Sequence, residues 1–169
     1  MAGATPTDDE ARARAAAAAL ATLQPKVGQE VHLSDWLTVS QERIDAFAAA
    51  TGDHQWIHVD TTRAARESPW GGTVAHGYLT LSLHIPLRGL VDTGRPFLPG
   101  VGSVVNYGLN RLRFPAAVRA GSRIRGRFTL LEAIGVSPTV LQVTERYVAE
   151  IEGGSKPACS ADSIMRLVF

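Results

Sequence analysis

Gly71-Gly72-Thr73-Val74-Ala75-His76-Gly77-Tyr78-Leu79-Thr80-Leu81-Ser82-Leu83-His84-Ile85-Pro86-Leu87-Arg88-Gly89-Leu90 decides how the chain folds. Over residues 73 to 90, Val74, Tyr78, Leu79, Leu81, Leu83, Ile85, Leu87 and Leu90 occupy nearly every side of a helical wheel. That pattern belongs to a helix enclosed by other structure. The exceptions His76, Thr80, His84 and Arg88 recur every fourth residue, so they form one polar stripe along an otherwise apolar rod. Pro86 has no N–H to give its turn and is expected to kink or end the helix near its own position.

Everything beyond Pro99 reads as strand. Between 101 and 114 the apolar residues fall at 105, 107 and 109 and then at 112 and 114, a phase change near Gly108 and Asn110 that predicts a bulge. Ile124, Phe128 and Leu130 alternate with Arg123, Arg125, Arg127 and Thr129. Leu141, Val143, Tyr147, Ala149 and Ile151 alternate with Gln142, Thr144, Arg146 and Glu150. Cys159, Ala161, Met165, Leu167 and Phe169 share one face. On the N-terminal side, residues 8 to 23 are helix formers with Asp8 or Asp9 placed to cap and Pro25 and Gly28 placed to stop, and this helix is expected to be an appendage. Residues 31 to 39 are expected to be extended. Ser40 starts a further helix that Thr51-Gly52 ends, and a helical turn is expected over residues 61 to 67.

One all-apolar helix and a succession of alternating strands give an α+β fold. A single five-stranded antiparallel sheet wraps a central helix, the arrangement called a hot dog, with an extra N-terminal helix. The organisation read here is an N-terminal helical extension over residues 1 to 25 and one hot dog domain over 26 to 169. An open sheet edge and a polar stripe on the core helix point to a homodimer.

Composition narrows the function classes. The chain has 169 residues, a formal net charge of +1, 45% hydrophobic and 20% charged residues, which suits a single soluble domain and makes no electrostatic case for nucleic acid or a membrane surface. Asp8, Asp9 and Glu10 precede the Ala-rich start and Arg12 and Arg14 interrupt it, unlike a signal peptide, and no apolar run reaches bilayer length. Cys159 is the one cysteine, expected to be a small buried strand residue; without a disulfide the chain fits a reducing compartment, the cytoplasm.

The polar chemistry gathers ahead of the helix. Thr51-Gly52-Asp53-His54-Gln55-Trp56-Ile57-His58 places an acid and two histidines on what reads as irregular backbone, and His76 follows in Ala75-His76-Gly77. His54 and His58 lie four apart with Asp53 adjacent, which raises a metal site, but Gly52 and the loop context argue against the helix that would align the pair. No metal is expected. Gly100-Val101-Gly102-Ser103 lacks the third glycine and preceding strand of a dinucleotide site, and no Gly-x-Ser-x-Gly nucleophile motif is present. Arg111, Arg113, Arg119, Arg123, Arg125 and Arg127 read first as a solvated strand face. His32, His84 and His76 read first as structural, His76 by bonding the loop that carries Asp53, and His54 as exposed at the mouth of the site.

Residues 50 to 60 and 75 to 79, with Asn106-Tyr107-Gly108-Leu109-Asn110-Arg111-Leu112-Arg113-Phe114-Pro115, resemble the MaoC-like and (R)-specific enoyl-CoA hydratase family, its NodN-like branch most of all. The resemblance runs from about residue 26 to 168. Gly52-Asp53, Gln55 and His58 satisfy the hydratase pattern. The chain departs from it at Gln55-Trp56, where many relatives have asparagine then proline, and at Ile85, near which some place a serine. What the resemblance implies is reversible syn hydration of trans-2-enoyl-CoA to (R)-3-hydroxyacyl-CoA, with no metal or organic cofactor beyond the coenzyme A of the substrate. It implies Asp53 and His58 as the catalytic dyad, with Gln55 as the polar residue of the pattern. Beside it, the N–H of Gly77 at the start of the buried helix is the candidate donor to the thioester oxygen, direct substrate contact is the second reading of His76, and Arg111 or Arg113 on a coenzyme A phosphate is the second reading of the arginine face. The other readings are a dehydratase or hydratase acting on carrier-protein-bound or unusual (branched, steroid-derived) acyl thioesters, and a non-catalytic acyl-binding hot dog subunit.

Overall fold

The computed structural model of the chain describes residues 7 to 90, 94 and 97 to 169. Helix α1 (Asp8–Leu23) opens on a capping box. Thr7, not an aspartate, caps it: the Thr7 hydroxyl accepts from the Glu10 N–H at 3.3 Å and the Glu10 carboxylate accepts from the Thr7 N–H at 2.9 Å. The short strands β1 (Glu30–Leu33) and β2 (Leu37–Thr38) lead into α2 (Gln41–Thr51), capped by Ser40 and closed by Gly52 in the left-handed region at φ 77°. Two short helices follow, α3 (Trp56–Val59) and α4 (Thr61–Glu67), then α5 (Gly77–Ser82) and α6 (His84–Arg88). The long strands are β3 (Ser103–Arg113), β4 (Arg123–Ser137), β5 (Val140–Ile151) and β6 (Cys159–Val168).

The strands pair antiparallel in the order β1-β4-β5-β6-β3, and β2 adds its two residues to β4. This is the hot dog arrangement, with five strands in the main path. Alternation sends Ile124, Phe128, Tyr147, Ala149 and Cys159 to the concave face, where they pack on Leu79, Leu83 and Leu87 of α5 and α6. Burying a side chain the size of Phe128 is worth roughly 2 to 3 kcal/mol, so this cluster is what holds the helical rod in the sheet. Cys159 is the small buried strand residue that alternation requires.

Four features differ from the sequence expectation. The rod begins at Gly77 rather than near residue 73, because Thr73 to Ala75 are held by other elements: the Val74 N–H bonds the Ile57 carbonyl at 3.0 Å and the Ala75 N–H bonds the Val118 carbonyl at 2.7 Å. It breaks at Leu83, three residues before Pro86. The N–H that Pro86 lacks would have bonded the Ser82 carbonyl, and the pyrrolidine ring crowds that same group. The polar stripe turns inward: His76, Thr80 and His84 are buried, and Arg88 makes a bidentate pair with buried Glu145 at 2.7 and 2.8 Å. What the rod shows to solvent is Tyr78, Ser82 and Pro86. Finally, α1 is no appendage. Ala16, Ala19 and Leu23 pack on Leu130, Leu141, Val143, Met165 and Leu167, covering the other end of the same concave face.

Outside, the arginines of β4 face carboxylates: Arg123 with Glu152, Arg125 with Glu150, and Arg127 with Glu150 and Glu30. They are the solvated strand face that the alternation predicts. Two register shifts interrupt β3, between Asn106 and Gly108 and between Asn110 and Arg113, where the bulge was expected. Among the described residues no helix is long and apolar enough to cross a membrane.

Candidate active site

Helix α2 ends at Gly52, and its left-handed turn throws Asp53 out of the helix into an exposed step. The Asp53 carboxylate accepts from the Gln55 N–H at 3.4 Å, and Gln55 is the N-cap of α3. The loop expected through to His58 therefore stops at Gln55, before α3 begins at Trp56. His58 sits in the single turn of α3, between the Gln55 carbonyl that its own N–H bonds and the Asp60 side chain that caps α4. Burial is built locally: one turn of helix places the imidazole under the segment 73 to 75.

That segment fixes the tautomer of His58. Its Nδ1 lies 2.6 Å from the Val74 carbonyl, which can only accept, so Nδ1 carries the hydrogen and Nε2 keeps its lone pair. Gln41 locks the same corner, donating to the His58 carbonyl at 2.8 Å while its own oxygen accepts from the Thr73 hydroxyl. His76, capping position of α5, donates from Nε2 to the Asp53 main-chain carbonyl at 2.9 Å, the bracing bond expected of it. The His58 and His76 rings stack at 3.7 Å between centroids, and Phe47 closes over His76 at 5.0 Å.

Ligand-type atoms of Asp53, His58 and His76 all lie within 4.8 Å of one another. As arranged, the cluster suits proton transfer better than a cation. The His76 Nε2 that faces the carboxylate carries a hydrogen, and nearly parallel stacked rings do not aim two lone pairs at one point. Burial pushes the His58 pKa below its ordinary 6.5; the Val74 carbonyl opposes that, the neighbouring His76 adds to it, and Asp53 opposes it. A neutral, basic Nε2 beside an exposed carboxylate can take a proton from a water molecule held between them.

The remaining predicted residues fall around this centre. Gly77 is the first residue of α5, where a helix N–H has no intrahelical acceptor. A side chain on it would meet the Phe114 ring at 3.1 Å, so close packing alone gives a reason for glycine. Phe114, which follows β3 directly, ties the end of that strand to this point and packs edge-on against Tyr78. Arg113 is exposed, and its guanidinium bonds the neighbouring Leu112 carbonyl. Arg111 adopts φ 54°, inside the second bulge, and lies 3.6 Å from Asp162, which Arg146 also pairs. The Gln55 side chain and His54 are exposed. Gln41, Thr73 and the Val74 carbonyl are the partners sequence reasoning missed. A main-chain carbonyl carries no residue signature, and Gln41 reads as an ordinary first-turn residue.

Known proteins resemble this chain over most of its length. The MaoC like domain family matches residues 22–151. The 3-hydroxyacyl-thioester dehydratase Z of Mycobacterium tuberculosis is 46% identical over 149 residues, 88% of this chain and 95% of that protein. Nodulation protein N of Rhizobium leguminosarum bv. viciae is 46% identical over 150 residues, 89% of this chain and 91% of its own. Among solved structures, the (R)-hydratase from A. caviae superposes with a TM-score of 0.63 at 22% identity, covering 83% of this chain and 96% of that one.

Proposed function

Because the chain belongs to the MaoC-like dehydratase family, we propose that it is an (R)-specific enoyl-CoA hydratase, with Asp53 and His58 as its catalytic pair. The observation that carries this reading is the bond from His58 Nδ1 to the Val74 carbonyl. It leaves Nε2 as a free base, in a ring whose ligand-type nitrogen and an Asp53 carboxylate oxygen lie within 4.8 Å of each other. In the reaction, Nε2 takes one proton from water while Asp53 holds the other hydrogen, and the hydroxyl adds to the β carbon of the enoyl thioester. The proton is then returned to the α carbon from the same face, which makes the addition syn. Reversal of these steps is a dehydration, the direction named for the mycobacterial relative.

Negative charge that develops on the thioester oxygen is met by the Gly77 N–H, with Arg113 and Arg111 available to the phosphates of coenzyme A. His76 acts by holding Asp53, and Gln55 by shaping the step between Asp53 and α3. No metal or organic cofactor is required by these steps. The working unit is a homodimer joined through β3, whose outer edge is unpaired among the described residues and whose Tyr107 is 62% exposed next to exposed Val105 and Leu109. A reducing cytoplasm suits the lone buried thiol. Thioesters on a carrier protein would undergo the same chemistry, and assays on matched CoA and carrier substrates separate the two. Purified protein is tested on trans-2-enoyl-CoAs of increasing length; an (R)-3-hydroxy product supports the reading, and no turnover on any enoyl thioester moves the chain to the acyl-binding class.

A further inference from the structure

A cavity of about 300 Å³ lies between the helical rod and β3, lined on its apolar sides by Leu81, Ile85, Tyr107 and Leu109. Its polar lining is Ser82 and Asn106 together with His84 and Ser163. The last two are buried, at 5% and 4% exposure, and His84 Nε2 has no hydrogen-bond partner. An imidazole so placed leaves hydrogen-bonding capacity unused in a largely apolar space, which is costly unless something binds there.

The cavity starts one helical turn beyond Gly77, at Leu81, and His84 is seven residues on from Gly77. At about 1.5 Å per residue that is roughly 10 Å along the rod, a distance an extended chain of about eight carbons spans. We propose that the acyl chain of the substrate occupies this cavity and that His84 and Ser163 select chains bearing a hydroxyl or keto oxygen near its far end over plain alkyl chains. The inference rests on the acyl-thioester reading above. Neutral His84 is able either to donate to a keto oxygen or to accept from a hydroxyl, according to its tautomer. Burial, with Arg88 close by, holds its pKa down at about 4, so it stays neutral in ordinary buffers. The alternative, a plain alkyl chain against an unpaired imidazole, leaves that nitrogen desolvated with nothing gained.

The test measures binding, so it does not depend on turnover. Dissociation constants of octanoyl-CoA are compared with those of the 6-, 7- and 8-hydroxy and matching keto octanoyl-CoAs, for the parent and for His84→Leu and Ser163→Ala. The expected result is at least one oxygenated chain bound about tenfold more tightly than octanoyl-CoA, with the preference lost in His84→Leu, which replaces a polar ring by an apolar side chain and should fold. Equal or weaker binding of every oxygenated chain by the parent overturns the inference, whatever the variants do. Failure of all acyl-CoAs to bind overturns the inference and the acyl-thioester reading together, whereas octanoyl-CoA binding without discrimination leaves the latter standing.

Discussion

At the scale of single residues, the account places different demands on Asp53 and His58. The Asp53 carboxylate is 51% exposed, accepts from the Gln55 N–H at 3.4 Å and has His76 Nε2 3.9 Å away, so Asp53→Asn should melt with the parent yet lose at least about 10² in kcat. Parent-like turnover in that variant would mean that Asp53 is only a turn residue. His58 is needed as the free base, and burial has lowered its pKa. The sign follows: kcat/KM should be flat through neutral pH and fall only as the pH drops below the ordinary histidine value, where Nε2 gains a proton. A profile that rises on acidification would assign the imidazole to the acid role instead. Gly77→Ala must move the Phe114 ring by a few tenths of an ångström, so the roughly 0.8 to 1 kcal/mol that alanine gains over glycine in a helix is offset in part. Its turnover should still drop by about 10² if the N–H meets the oxyanion.

At the scale of elements, the sequence was informative wherever one periodicity ruled a whole segment. β4, β5 and β6 alternate along most of their length, and the helical rod was legible because its apolar residues occupy nearly every side of the wheel and its polar ones keep to a single stripe. Residues 73 to 75 were misassigned to the rod since their hydrogen bonds go to Ile57 and Val118, partners far away in sequence. α3 escaped notice because four residues give no period to read. The histidine stripe was visible as a stripe, but its burial depends on Glu145 and Tyr147, brought from β5 to face it. α1 makes a prediction of its own. Leu23 is buried against the concave face, so Leu23→Ala should cost about 2 to 3 kcal/mol in denaturant unfolding; an appendage would lose nothing.

At the scale of the whole molecule, buried histidines set the acid limit of stability. The folded state holds His84 at about 4, while the unfolded chain takes up that proton near 6.5. Between those values the unfolded state binds more protons, so stability falls as the pH falls through this window, by on the order of 3 kcal/mol from His84 alone. His58 adds to the loss with the same sign. His84→Leu should therefore flatten the stability curve between pH 6.5 and 4, as read from urea midpoints across that range. The exposed apolar side chains at the open edge of β3 predict a dimer in light scattering that Tyr107→Lys weakens.

The central claim is that one chain fold, with Asp53 and a neutral His58 on one side of the bound substrate, adds water across an enoyl thioester. The most direct measurement is hydration of crotonyl-CoA and longer trans-2-enoyl-CoAs by the purified protein, followed as loss of ultraviolet absorbance, with the configuration of the product determined. The account predicts turnover, an (R)-3-hydroxyacyl product and loss of at least about 10² in rate in Asp53→Asn. Turnover giving the (S) product, or rates unaltered by that substitution, would contradict it.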